Sequence, residues 1–560
     1  MTTISVRVIS NCDDVYLIWQ PEAAIADCLG FAIYRKRNGA APELLPNRVG
    51  FSAQPQQDYQ PQPSSVWPFQ RISWTDHGSE IGDTLSYRIV AMVGKPDALT
   101  EGVASDWTAP VKLTAECGDG ISAHFNRGIV LSQFVARLMK KNNWKVADIK
   151  THAALAHDQL REFLSGDLRV AMLDMLQQAQ QDHSVEVYAA LFELSDPELG
   201  AELAKLGPRL HCVLGNGAVK AKTDDENLAM RTQLRAAGAD IIDRMTAPGF
   251  LAHNKFAVFC RNGQPYQAWT GSTNWQPTGL CTQVNNGIML ENADVAADYF
   301  AAWQRLKAAG NLSDATLKQG NSVLPVVHAI DKGNPGANAF ARFTATNKKI
   351  DLTELSQLIA YAKKSIFFLM FMPGNDLFQQ VIAKGQSLYV RGVANTIPKG
   401  SPGTVQVGLV DGAAQTNFSL EVIEPTGVAN AFAYWAEEVT RGQFGAIGHA
   451  IIHSKTIVLD AGTPDALVIT GSHNFSNTAS QKNDENYVVV HGNQALADAY
   501  VANCQAVYDH YRWRKYVADC AKQGKQPWDH LADDADWLAK YVQSPSRKAT
   551  LDFWFGDNGK

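Results

Sequence analysis

Two stretches of this chain, 200 residues apart, carry the same spaced set of polar residues. His253-Asn254-Lys255 and Gly271-Ser272-Thr273-Asn274 match His453-Ser454-Lys455 and Gly471-Ser472-His473-Asn474. The register runs on without a gap through Val258 and Val458, Thr270 and Thr470, and Asn286 and Asn486. A repeat that keeps spacing as well as residue type calls for two copies of one folding unit. Around the first copy DHSVEVYAALFEL reads as a buried strand, AELAKL as a helix and LHCVL as a strand. Around the second, AKKSIFFLMFMP, DLFQQVIAKG and LYVRGVANT give strand, helix and strand again, with a further strand at Val405–Leu409. The class is α/β, with IVLSQFVARLMKK as a helix near its start.

The first 117 residues follow a different pattern. Runs Val15–Trp19, Gly30–Arg37, Arg71–Thr75, Leu85–Val93 and Val111–Thr114 are separated by Pro, Gly, Asn and Asp clusters, which reads as a small β-sandwich. With Trp19 on an early strand, then GFAIYRKR and LSYRIVAMV, it resembles a fibronectin type III domain, whose expected work is spacing or binding a protein or glycan partner. At 560 residues the chain is too long for one core. The expected division is a sandwich at 1–117, two pseudo-symmetric lobes at 118–320 and 321–545 sharing one site, and a tail at 546–560.

On a strand, IIHSKTIVLD would turn His453 and Lys455 to one face and Asp460 to the other, and GSHN would set Ser472 beside Asn474. Cations in an apolar strand are costly without an anionic partner. Two such halves would surround a phosphate with Lys255, Lys455, Asn274, Asn474, Ser272 and Ser472, leaving one imidazole on each side of phosphorus. One neutral histidine would attack; the other, protonated, would supply the leaving group's proton. The scheme needs no metal or other cofactor, and the eight scattered cysteines show no zinc spacing.

H-x-K-x4-D followed by G-S-x-N, present twice, resembles the signature of the phospholipase D superfamily. The second copy has every element: His453, Lys455, Asp460, Gly471, Ser472 and Asn474. The first has Cys260 where the Asp would stand, a departure shared with the tyrosyl-DNA phosphodiesterases of that superfamily, which makes Asp460 a structural position. The resemblance implies a covalent phosphohistidine and an orienting side chain exchanged between halves. Glu485 would orient His253, marking it as nucleophile. Asn285 would orient His453, the general acid, and is grouped with Ser272 and Ser472 on the substrate.

The leading expectation is phospholipase D-type hydrolysis of a phospholipid, or transfer to an alcohol, with transient contact to a membrane surface. A nuclease or DNA-adduct phosphodiesterase is the enzymatic rival; a formal charge of −6 gives no basic footprint but does not rule out a local groove for nucleic acid. The third reading is a degenerate phosphate-binding protein. His449 and His473 lack partners in the first copy and are read as pocket or structural residues. Trp275, Phe475, Trp513, Trp528, Trp537 and Trp554 are read as core or as lining for lipid chains or bases. The N-terminus has no basic start followed by an apolar run, so the expected location is the cytoplasm, with export that needs no cleaved signal left open.

Overall fold

The computed structural model describes residues 3–54, 61–118, 120–128, 138, 141–218, 224–311, 315–330, 336–385, 387–398, 420–423 and 451–556. The strand at Val405–Leu409, most of the IVLSQFVARLMKK segment and His449 lie outside these residues. Two compact units emerge: Met1–Thr114 with Asp519–Lys560, and Ala115–Leu409 with Glu421–Ala518.

In the first unit the antiparallel strands Ile4–Ser10, Val15–Pro21 and Ser73–Asp76 form one sheet. A second contains Val111–Lys112, Thr84–Lys95, Cys28–Arg37 and Glu43–Leu44, with Ala98–Ala104 paired to Thr84–Lys95. Alternation along Val15, Leu17 and Trp19 turns them into one core with Phe31, Ile33, Tyr87 and Ile89 from the other sheet. One buried polar knot spans that core. Asp76 of the first sheet pairs with Arg35 at 2.7 Å and accepts the Tyr87 hydroxyl at 2.8 Å, so no charge is left unmatched.

The C-terminal boundary differs from the sequence expectation, which gave 321–545 to the second lobe and made 546–560 a tail. Residues from 519 onward belong to the first unit, because their apolar side chains find burial there. Trp537 and Leu538 complete its core, Trp537 Nε1 donates to the Cys28 carbonyl at 2.8 Å, and Pro545–Phe555 is a helix capped by Ser544.

The second unit holds two mixed sheets. The first has the order Ile121–Phe125, Asn286–Leu290, Gln264–Gly271, Lys255–Arg261, Val185–Leu191, Leu210–Gly215, Asp240–Arg244. After an edge strand, His328–Ala329, the second follows as Asn338–Phe343, Asn486–His491, Leu467–Gly471, Thr456–Leu459, Ser365–Met370, Tyr389–Ala394, Leu420–Ile423. The order is the same in both. In each, the strand after the His-x-Lys motif is central, antiparallel to the buried strand that the sequence predicted. Helix Pro197–Lys205 links the first parallel pair, and Asn375–Lys384 the second. Among the described residues no helix is long and apolar enough to cross a membrane. All eight cysteines are free and buried.

Candidate active site

Each GSxN motif begins where a strand must stop. At Gly271 an added Cβ would lie 2.3 Å from the Asn286 carbonyl oxygen, and at Gly471 2.4 Å from that of Asn486, so only glycine admits the neighbouring strand so closely. The strands end at these glycines, and each histidine stands in the turn before its strand rather than within it. The period-two argument therefore does not govern Ser272 or Ser472. Both are buried and hydrogen-bonded within the protein: Ser272 Oγ accepts from Asn286 N at 3.1 Å and donates to the side chain of Asn285, at Oδ1, at 2.7 Å, and Ser472 Oγ accepts from Asn486 N at 3.0 Å. They hold the asparagine strands.

The two halves are stitched together here. Gln283–Val284 pairs in parallel with Ile451–Ile452, His453 N donates to the Val284 carbonyl at 3.0 Å, and Asp484 N to the Leu251 carbonyl at 2.9 Å. Two asparagines cross over. Asn486 accepts from Thr270 Oγ1 at 2.7 Å and donates to Asn254 Oδ1 at 2.8 Å; Asn286 accepts from Thr470 Oγ1 at 2.9 Å and donates to Thr456 Oγ1 at 3.1 Å. A buried amide satisfied on both ends fixes position as well as energy.

That stitching sets the histidines. Glu485 Oε1 lies 3.3 Å from His253 Nδ1, and Asn285 Oδ1 3.0 Å from His453 Nδ1, each from the opposite half. Asn285 thus meets the His453 imidazole. Glu485 is itself fixed, accepting from Asn483 Nδ2 at 2.8 Å and Asn474 N at 2.9 Å. Lys255 Nζ donates to the His253 carbonyl at 2.8 Å and Lys455 Nζ to that of His453 at 2.6 Å. Phe192 packs against His253 and Lys255, with ring centroids 4.8 Å apart and Nζ 5.0 Å from the ring. Phe371 does the same for His453 and Lys455, at 5.0 and 4.8 Å.

Two lysines in one buried cluster set its electrostatics. Burial, with Lys255 adding to it, pushes His253 down to about 4 against the opposing pull of Glu485. His453 is pushed well below its usual value by burial and by both lysines. Both imidazoles are therefore neutral at neutral pH in the unoccupied site, whereas the sequence expectation had His453 protonated. Burial lowers Lys255 to about 7, and burial together with Lys255 lowers Lys455. For Glu485 burial works upward, but His253 outweighs it and holds the carboxyl at about 2. Glu485 is thus a carboxylate that faces the two lysines, and its charge works against the fall in both.

Asp460 lies away from the cluster. At a positive φ of 53° its carboxylate accepts the backbone N–H groups of Lys363, Lys364 and Ser365, at 2.6 to 3.2 Å, and so fixes the turn into the strand Ser365–Met370. In the first half, where Cys260 replaces it, Asp182 secures the corresponding turn from inside, accepting Ser184 N at 3.0 Å and Ser184 Oγ at 2.6 Å. His473 is buried against Asp351, with Nε2 to Oδ2 at 3.0 Å, and accepts Phe475 N at 2.9 Å, a packing role. Trp275 and Phe475 are buried in the second unit, Trp537 and Trp554 in the first, while Trp513 and Trp528 are 38% exposed.

The repeat did not reveal Glu193. Its Oε2 accepts a hydrogen bond from Asn274 Nδ2, and burial raises its carboxyl to about 7 against the pull of Lys255. The sequence signal was the alignment of the two buried strands: Phe192-Glu193 directly follows one and Phe371-Met372 the other.

Residues 355–507, the stretch that carries the second motif, match the family described as cardiolipin synthase, PLD-like domain. Among solved structures, the chain is similar to phosphatidylserine synthase from Haemophilus influenzae, at 10% identity and a TM-score of 0.37, over 69% of this chain and 93% of that one. It is similar to polyphosphate kinase from Porphyromonas gingivalis at 14% identity and a TM-score of 0.37, over 57% of this chain; it spans only 45% of that chain. Nuc, a phospholipase D family member from Salmonella typhimurium, is 20% identical with a TM-score of 0.19, over 32% of this chain and 95% of that one. No curated protein sequence matches the chain.

Proposed function

We propose that the second unit is a phosphodiesterase whose two halves are copies sharing one site, with His253 as nucleophile and His453 as general acid and base. The observation that carries this is the pair of buried lysines clustered with two imidazoles, each imidazole facing through Nδ1 a side chain of the opposite half: Glu485 at 3.3 Å from His253 and Asn285 at 3.0 Å from His453. Holding Nδ1 leaves Nε2 of each ring to react.

A phosphodiester entering between Lys255 and Lys455 brings a negative charge to them. It also removes the repulsion that keeps His453 neutral, so the proton His453 needs is taken up with the substrate. His253 Nε2 then attacks phosphorus as the ester P–O bond breaks, and His453 protonates the departing alkoxide. Water, giving its proton to His453, attacks the phosphohistidine; the P–N bond breaks and His253 is restored. Glu485 stabilises the positive charge that develops on His253. Asn274 has a second N–H beyond the one given to Glu193, and with the Asn474 amide it is placed to bind non-bridging oxygens. An alcohol in place of water gives transfer instead of hydrolysis. A phospholipid substrate is supported by the 51% exposed Met372 next to Phe371, an apolar surface at the edge of the site.

The test is hydrolysis of bis(p-nitrophenyl) phosphate in excess chelator, with acid-quenched protein examined for phosphohistidine. Turnover lost in both His253→Ala and His453→Ala, with label on residue 253 alone, is the expected result. Turnover that survives both substitutions overturns the proposal.

A further inference from the structure

Between helix Ala315–Asn321 and strand His328–Ala329 a short run of aliphatic side chains faces solvent: Val323 is 67% exposed, Leu324 74%, Val326 59% and Val327 58%. The run is held at both ends. Arg342 Nη1 donates to the Val323 carbonyl at 2.7 Å, Asn321 Nδ2 to the Ala345 carbonyl at 3.3 Å and Asn347 N to Ser322 Oγ at 2.8 Å, while His328 Nε2 lies 2.9 Å from Asp298 Oδ2. An apolar run pinned in this way contributes nothing to the core and leaves its surface for an outside partner.

Charge and area say which partner. Ser322 Oγ donates to the Lys318 carbonyl at 2.6 Å and accepts from Asn347 N, which brings Lys318, Lys348 and Lys349 to the flanks of the run. Among the described residues none of these three lysines is in an ion pair. The carboxylates of Asp298, Glu354 and Asp351 are engaged by His328, by Arg342 at 2.5 Å and by His473 at 3.0 Å. Lys348 and Lys349 also stand at the start of helix Ile350–Tyr361, where positive charge works against the helix dipole. The four side chains present on the order of 250 Å², under a third of the roughly 800 Å² that each partner of a stable protein interface buries. That area is too small for a second copy of the chain, but shallow insertion into lipid needs no matching shape.

The run adjoins the site. Thr344 N donates to the Glu485 carbonyl at 2.9 Å and Glu485 N to Thr344 Oγ1 at 3.1 Å. Lys348 follows Thr344 by four residues, at most about 14 Å of chain. We propose that Val323, Leu324, Val326 and Val327, flanked by Lys318, Lys348 and Lys349, dock the protein on an anionic phospholipid bilayer and bring headgroups to the site. This deepens the phosphodiesterase reading above and rests on it for its purpose, though not for its test.

The experiment follows sedimentation of the full chain carrying His253→Ala with phosphatidylcholine vesicles, with and without phosphatidylserine. The chain binds the phosphatidylserine vesicles, about tenfold or more weakly without phosphatidylserine, and less as salt rises. Leu324→Ser with Val326→Ser, and separately Lys348→Asn with Lys349→Asn, each weaken binding by about tenfold or more. Asparagine takes the positive φ of 54° and 55° at residues 348 and 349 readily, and far-ultraviolet circular dichroism checks that both pairs fold. With His253 restored, either pair leaves turnover of bis(p-nitrophenyl) phosphate unchanged and lowers turnover of vesicle phospholipid. No binding, equal binding to both vesicles, or binding that either pair leaves unchanged overturns the proposal. So does a dimer, seen by light scattering, that Leu324→Ser with Val326→Ser dissociates. Loss of soluble-diester turnover in the wild type sinks the phosphodiesterase reading alone, because docking is read on a chain that turns nothing over.

Discussion

Replacing Asp484 by Asn tests whether the seam between the halves carries both stability and chemistry. Asp484 forms a two-pronged ion pair with Arg244, Nε to Oδ2 at 2.8 Å and Nη2 to Oδ1 at 3.0 Å, with side-chain exposures of only 3% and 1%. Removing one charge of a pair this deep leaves the other without its counter-ion, which costs about 3–5 kcal/mol. Replacing both, as Arg244→Met with Asp484→Leu, removes the stranded charge along with the pair and recovers most of that loss. Asp484 also precedes Glu485 and donates its N–H to Leu251, two residues before His253. The single variant therefore slackens the Glu485 to His253 contact and lowers kcat more than it raises KM. Urea unfolding followed by far-ultraviolet circular dichroism, alongside phosphodiester kinetics, gives both quantities. A loss below about 1 kcal/mol in the single variant, or a double variant as unstable as the sum of the two single ones, refutes the reasoning.

Lys255→Met removes one of two buried like charges; the unoccupied protein is expected to gain about 1–3 kcal/mol while turnover disappears, and a less stable variant in urea unfolding would contradict this. Stability also follows the histidines. Unfolded imidazole takes up a proton below about 6.5 whereas His253 resists until about 4, so the unfolded state binds more protons in that window and stability falls as pH drops through it. The loss attributable to His253 reaches roughly 3 kcal/mol, with His453 acting in the same direction. Unfolding measured from pH 7 to 4 should show a shallower slope in His253→Asn combined with His453→Asn. Trp537→Ala opens a cavity in the first unit and is expected to cost it about 3–5 kcal/mol; an unchanged thermal transition would show that the C-terminal segment does not complete that core.

The grouping of residues was legible where both halves kept one spacing. His253, Lys255, Asn274 and Glu485 could be found because the offset to the second half is constant from residue 253 to residue 286. Upstream of the motifs the alignment fails: Phe192 and Phe371 are equivalent in space but 179 residues apart, so Glu193 and Met372 never faced each other in the sequence. For Ser272 and Ser472 the strand argument does not apply, for a local reason. Alternation was extended past Gly271 and Gly471, where the close approach of the asparagine strand ends regular structure. The return of residues 519–560 to the first unit was hidden too, because burying Trp537 beneath Cys28 closes a separation of 509 residues that no periodicity reports.

The exchange of Glu485 and Asn285 between halves bears on how such a chain can change over time. An imidazole usually answers to neighbours encoded close by; here His253 answers to residue 485 and His453 to residue 285. A substitution that improves one half on its own terms is therefore judged by the performance of the other. A change at residue 485 or 285 is felt first by an imidazole in the other half of the same chain.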